Sequence, residues 1–364
     1  MQTRSRPTPW KAAALGALAA AIATGGALGA DRPVFTPEGV VHVPAFDLPP
    51  SAFMSKEAAD SLKARGSGPP VSAFPTAPGI AGVRAMMEKQ ILPLVQAMQA
   101  RYPVDIVSRK IAGVPTRIVT PKGRKADPKR ILINLHGGAF MMCADGCALL
   151  ESLPIASLGG FKVISVDYRQ GPEAKFPAAS EDVAAVYREL LKTYKPKQIG
   201  IYGCSAGGSL AAATAAWLPA HGLPQAGAIG VFGAGAARFS AGDSAYISGY
   251  ADGSFPPPAA PGAPAMKMPF RSYFEGANMD DPMVSPATSP AVMAKFPPTL
   301  LITGTRAPDM SPAIYTHSQL IKAGVPGDLI VGEGLGHCYI YQATTPEAQD
   351  AYEAIIKFFR RNLG

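Results

Sequence analysis

The chain has 364 residues, 48% of them hydrophobic and 16% charged, which is too apolar and too weakly charged for a disordered protein. Gly (38) and Pro (37) are abundant but follow no Gly-X-Y period, so a collagen-like chain is excluded. The net charge of +8 is scattered and no run interleaves basic with aromatic residues, so it reads as solubility and not as nucleic-acid binding.

The first feature in chain order is an export signal. Arg4, Arg6 and Lys11 form a basic start, residues 12–23 are apolar and uncharged, and small residues follow through Ala30. That order predicts a cleavable signal peptide over residues 1–30, with Ala27, Gly29 and Ala30 as candidate cleavage positions. A membrane anchor is the alternative, but the apolar part is shorter than the ~20 residues a span needs. No Cys follows at which a lipid could be attached, and no later segment is apolar enough to cross a bilayer. The expectation is a mature protein in the periplasm or medium, without stable membrane insertion. Its oligomeric state is left open.

Residues 31–100 begin Pro-rich and then show a helical pattern over 83–100. From there strands and helices alternate. Short apolar runs at 104–107, 116–119, 131–135, 161–166, 198–202, 228–232, 299–303 and 329–331 read as strands. Helical patterns fall at 178–194, 206–218, 312–323 and 346–363. Buried parallel strands need helical crossovers, so this rhythm predicts a mostly parallel α/β sheet with helices on both faces. Residues 237–290 break the rhythm with Phe255-Pro256-Pro257-Pro258 and further prolines, and read as an inserted functional loop or lid. The expected organisation is residues 1–30 as signal, 31–100 as an N-terminal cap segment and 101–364 as the catalytic domain.

Gly203-Cys204-Ser205-Ala206-Gly207 lies between an expected strand and an expected helix. A serine on so tight a turn has its hydroxyl held clear of the sheet, and the helix N-terminus offers N–H groups to a developing oxyanion. His136-Gly137-Gly138-Ala139-Phe140 follows the strand at 131–135. Its glycines let N–H groups of Gly137, Gly138 and Ala139 crowd toward one point, with Ala206 N–H as the partner donor. His136 reads as an anchor of that loop.

With these motifs the chain resembles the hormone-sensitive-lipase-like group of α/β-hydrolases, the bacterial esterases with an HGG[GA] loop. The resemblance rests on residues 136–140, Asp167-Tyr168-Arg169 with Gly171-Pro172-Glu173, Phe176-Pro177-Ala178-Ala179 with Glu181-Asp182, residues 203–207 and Glu333-Gly334-Leu335-Gly336-His337. It runs from Val104 to the C-terminus. It implies an α/β-hydrolase fold, a structural bracing role for residues 167–173, and a cap built from residues 31–100 and 237–290.

In the order of this fold the serine precedes the acid and the acid precedes the histidine. His337, after the strand at 329–331, is the expected general base. The resemblance implies an acid three residues after Gly304, but Ala307 stands there. Asp309 lies two residues further on and is the expected acid, with Glu333 as its rival. Asp309 would otherwise be a helix N-terminal residue, where an acid is welcome.

Cys143 and Cys147 could be bridged in an exported protein, Cys204 reads as a small buried filler, and Cys338 could pair with the 143–147 loop. No His/Cys/Asp cluster has zinc spacing, and Gly233-Ala234-Gly235 lacks the rest of a dinucleotide loop, so neither metal nor cofactor is expected. Phe140, Met141 and Met142 are candidates for an apolar substrate pocket, core packing being the alternative. The expected activity is hydrolysis of short- to medium-chain carboxylic esters through an acyl-enzyme. A ligand-binding protein with an impaired triad, and an amidase or acyltransferase using the same serine, stay open.

Overall fold

The computed structural model describes residues 32–66, 79–252, 255 and 272–364. The expected signal at 1–30 lies outside the described residues, as does most of 253–271 within the insertion. The chain divides into two compact units, residues 1–49 and 50–364. In the first, β1 (Val34–Phe35) pairs antiparallel with β2 (Val41–His42), and Thr36 N–H donates to Val40 O to close the turn.

The second unit opens with helices Lys56–Gly66 and Gly79–Arg101. Its sheet comprises β3 (Val104–Ile111), β4 (Val114–Pro121), β5 (Ile131–Leu135), β6 (Lys162–Val166), β7 (Ile199–Cys204), β8 (Ala228–Phe232), β9 (Thr299–Gly304) and β10 (Gly327–Gly332). The order across the sheet is β10-β9-β8-β7-β5-β6-β4-β3. β5 pairs parallel with β6 and β7, and the parallel run continues through β8 and β9 to β10. β4 runs antiparallel to both β6 and β3. This is the expected α/β-hydrolase sheet.

The pleat sorts the strand residues onto two faces, as a period of two requires. Ile131, Ile133, Leu135, Ile201 and Val231 join the core under helices Ala178–Leu190 and Ala206–Ala220. Leu132, Val163, Tyr202, Cys204 and Phe232 join the opposite core, under Gly146–Gly159 and Pro346–Asn362. The helix Gly146–Gly159 had no counterpart in the sequence reading. It is buried nearly all round, so it shows no polar stripe for periodicity to detect. Its N-terminus is held from a distance by Glu88, whose carboxylate accepts from Asp145 N–H (3.2 Å) and Gly146 N–H (2.9 Å).

The region expected to be a loop or lid carries a helix of its own, Asp243–Ala251. Ser244 ties that helix to the loop after β9, donating to Pro308 O (2.6 Å) and accepting from Ser311 N–H (2.9 Å).

Candidate active site

β7 ends at Cys204 and a helix starts at Ala206, so Ser205 alone forms the bend between them. Its backbone takes φ 60° and ψ −123°, a conformation that costs about 1–3 kcal/mol and is held here by the packed elements on either side. Ser205 N–H donates to Phe232 O (2.8 Å), which ties the bend to β8. The glycines of the motif are a steric requirement. A Cβ on Gly203 or Gly207 would overlap the Leu135 carbonyl oxygen, and one on Gly208 would lie 2.5 Å from Phe232 O. The helix and β5 approach too closely for any side chain.

The loop after β5 passes beside this bend. A Cβ at Gly137 would meet Tyr341 OH at 2.9 Å, Cys204 O at 3.1 Å and the Ser205 Cβ at 3.4 Å. Gly138, Ala139 and Phe140 have φ of 110°, 55° and 57°, a left-handed run that turns successive N–H groups one way. Gly137 corrects the sequence reading. Its N–H donates to the buried carboxylate of Glu151 (2.9 Å), so it is unavailable to an oxyanion. Among the described residues no hydrogen bond engages the N–H of Gly138, Ala139 or Ala206.

His136 lies under this loop, fully buried. Its ring stacks on Tyr168 (4.3 Å), its Nδ1–H donates to Gly137 O (2.7 Å), and Tyr168 OH donates to His136 O (2.7 Å). Burial lowers its pKa from 6.5 to about 4, so the imidazole is neutral at pH 7. Phe140, Met141 and Met142 lie inside the core, at 7%, 5% and 2% exposure. Phe140 stacks on Tyr273 (5.0 Å) and lines a small cavity of about 10 Å³ with Phe274 and Leu210. Met141 and Met142 pack with Val83 and the 143–147 pair. Core packing, the alternative held open above, describes all three.

β9 ends at Gly304 and the chain turns through Ala307, whose N–H donates to Gly304 O (3.0 Å). The turn buries Ala307 and delivers the carboxylate of Asp309, itself 0% exposed. His337 Nδ1–H donates to Asp309 Oδ1 (2.6 Å), and Thr303 OH donates to Oδ2 (2.5 Å). A buried acid with both oxygens occupied holds the ring in one orientation and leaves Nε2 unbound by the acid, 3.7 Å from Cys338 Sγ. Glu333, the rival, is exposed, and no hydrogen bond joins it to His337 among the described residues. Phe239 and Phe255 meet the imidazole edge-on at 5.3 and 5.0 Å, shielding it from water.

His337 and the elbow converge around Gly233, φ 53°. A Cβ there would lie 3.1 Å from His337 Cε1, 2.9 Å from Cys204 Sγ and 2.8 Å from Cys338 Sγ. Among the described residues no hydrogen bond yet joins Ser205 Oγ to His337, a bond that often tightens only with substrate in place. The cysteines pair as Cys143–Cys147 and Cys204–Cys338. Cys204 is therefore not a free filler, and Cys338 does not join the 143–147 loop. Among the described residues no group of three or more His, Cys, Asp or Glu is placed to hold a metal ion.

Comparison with known proteins agrees with this fold. Residues 132–341 match the family described as the alpha/beta hydrolase fold. Among solved structures, an esterase E25 superposes with a TM-score of 0.74 at 26% identity, over 89% of this chain and 99% of that one. An esterase of the bacterial hormone-sensitive lipase family superposes with a TM-score of 0.70 at 24% identity, over 85% and 99% of the two chains. The versiconal hemiacetal acetate esterase stcI of Emericella nidulans is 38% identical over 124 residues, 33% of this chain and 41% of that protein. The match thus spans less than half of that relative's length. The chain belongs to the α/β-hydrolase family.

Proposed function

We propose that the protein is a serine carboxylesterase acting on short- to medium-chain carboxylic esters. The observation that carries this reading is the bond between His337 and buried Asp309, on a loop that meets the Ser205 elbow. His337 Nε2 takes the Ser205 hydroxyl proton while Oγ bonds to the ester carbonyl carbon. The carbonyl π electrons move onto oxygen, where the N–H groups of Gly138, Ala139 and Ala206 are available to it. The C–O bond to the alcohol then breaks, and the leaving oxygen takes the proton from His337. Water attacks the acyl-enzyme as His337 accepts its proton. Collapse releases the carboxylic acid and returns a proton to Ser205. Asp309 keeps the imidazole oriented and stabilises its charged form in both halves.

An acyl group of modest size suits a site whose neighbours Phe140, Met141 and Met142 are already packed. The acetate esterase among the relatives favours the same end of the range. Export to an oxidising compartment is part of the proposal, and two disulfides favour it. The ligand-binding alternative drew its force from Ala307, and Asp309 beside His337 supports the esterase reading over it.

A panel of p-nitrophenyl esters from acetate to palmitate tests the reading, run on the wild type and Ser205→Ala. Turnover falling with chain length, and lost in the variant, supports it. Binding without turnover overturns it. Products formed with added alcohols or amines separate hydrolysis from acyl transfer.

A further inference from the structure

We propose that Glu151 is a positioning residue for acyl transfer, a single buried carboxylate that holds the oxyanion loop in register with the nucleophile elbow. The proposal rests on the esterase reading above and concerns a residue that the mechanism does not otherwise use.

Glu151 lies on the helix Gly146–Gly159 and is 2% exposed. Oε1 accepts from Gly137 N–H (2.9 Å) and Tyr341 OH (2.7 Å). Oε2 accepts from Asn134 Nδ2–H (2.8 Å) and Cys204 N–H (3.1 Å). The four donors come from four places: the end of β5, the oxyanion loop, the elbow, and the short turn Tyr339–Tyr341 after the histidine. Two of them are peptide groups adjacent to the chemistry. Gly137 N–H directly precedes the Gly138 N–H offered to the oxyanion, and Cys204 N–H precedes Ser205.

A buried carboxylate is costly, and an apolar side chain here would leave four buried donors without an acceptor. Burial raises the Tyr341 phenol well above its ordinary value and the neighbouring Glu151 charge raises it further, so Tyr341 remains a donor. A negative charge behind the oxyanion hole cannot help the oxyanion electrostatically. Its benefit is therefore geometric, since it fixes the distance between two peptide groups that no sheet hydrogen bond connects. A misplacement of about 1 Å in such a frame costs on the order of a hundredfold in rate.

Glu151→Gln has the same shape, but its NH2 faces two donors and one of the two arms must let go. With p-nitrophenyl acetate at pH 8, where the Glu151 carboxyl is ionised, the expected result is a kcat lower by about tenfold to a hundredfold with little change in KM. Inactivation by a fluorophosphonate should slow in parallel, since it uses the same N–H groups. Glu151→Asp keeps the charge and withdraws it by ~1.5 Å, and should lower kcat in the same way. The circular dichroism of each variant is recorded alongside, and if the glutamine variant fails to fold, the aspartate variant decides. A folded variant with wild-type kcat, or with its whole loss in KM, overturns the proposal. A wild type that turns over no ester overturns the esterase reading as well, a result distinct from active wild type and equally active variants.

Discussion

Cys204 and Cys338 are joined by a disulfide that holds their Cα atoms 6.2 Å apart, so the residue before Ser205 is bonded to the residue after His337. One covalent link thus brackets the two groups that exchange a proton in the proposed mechanism, although they are far apart in sequence. It is buried, with Cys204 at 0% and Cys338 at 8% exposure.

The two disulfides should differ in what they contribute to stability. In the chain-entropy account a crosslink closing the 134-residue separation stabilises by about 5 kcal/mol, and one closing a separation of 4 by about 2 kcal/mol. The double variant Cys204→Ala, Cys338→Ala should therefore melt well below Cys143→Ala, Cys147→Ala by differential scanning calorimetry. Equal melting temperatures would contradict this ordering.

Asp309→Asn should leave the fold intact and lower kcat by about 10⁴, with KM little changed, because the amide favours the wrong tautomer of His337. The measurement is steady-state hydrolysis of p-nitrophenyl butyrate. Glu333→Gln, at an exposed position, should stay near wild type. The reverse pattern would move the acid to Glu333.

The pH dependence of stability carries two opposed contributions. Burial pushes the Glu151 carboxyl up from 4.5 to about 7, against the pull of its four donors. The folded chain therefore holds a proton there that the unfolded chain has lost, and stability from this group disappears as pH rises from 4.5 to about 7. His136, held neutral by burial, acts the other way, losing stability as pH falls from 6.5 to about 4. Tyr168, Tyr202 and Tyr341, which also face Glu151, are raised far above this window and do not titrate in it. Glu151→Gln removes the first contribution alone. The variant should gain on the wild type as pH rises from 4.5 to 7, on the order of 3 kcal/mol at ~1.4 kcal/mol per unit. Urea unfolding at both ends of the window checks it. A difference that is flat, or that shrinks with pH, would contradict the assignment.

Gly207→Ala should not yield a native protein, since the added methyl would overlap the Leu135 carbonyl oxygen where β5 and the helix meet. Gly222→Ala is the comparison. It has open space, carries only the strain of φ 69°, and should cost about 1 kcal/mol in chemical denaturation.

The strands at 131–135 and 228–232 were legible to the residue because buried parallel strands are continuous apolar runs between breaks. The serine bend was legible because its glycines are forced by close approach. The helix Gly146–Gly159 was not, since burial on all sides erases the periodic signal, and Glu151 was missed along with it. The cysteine pairing could not be read either, because the partners of Cys204 and Cys338 are set by how strands stack and not by spacing. Gly137 was counted as an oxyanion donor because a sequence shows which N–H groups exist and not which are already bonded. Asp309 was reachable as the nearest carboxylate after an alanine, while the Thr303 hydroxyl on its second oxygen left no trace in the pattern.

The central claim is that Ser205 is the residue acylated in the reaction. Its most direct test is peptide mapping by mass spectrometry after a fluorophosphonate has reacted with the native wild type. One adduct is expected, on the hydroxyl of Ser205, absent from heat-denatured protein and from Ser205→Ala. An adduct on another residue, or an unmodified Ser205 in protein that still hydrolyses esters, would contradict it.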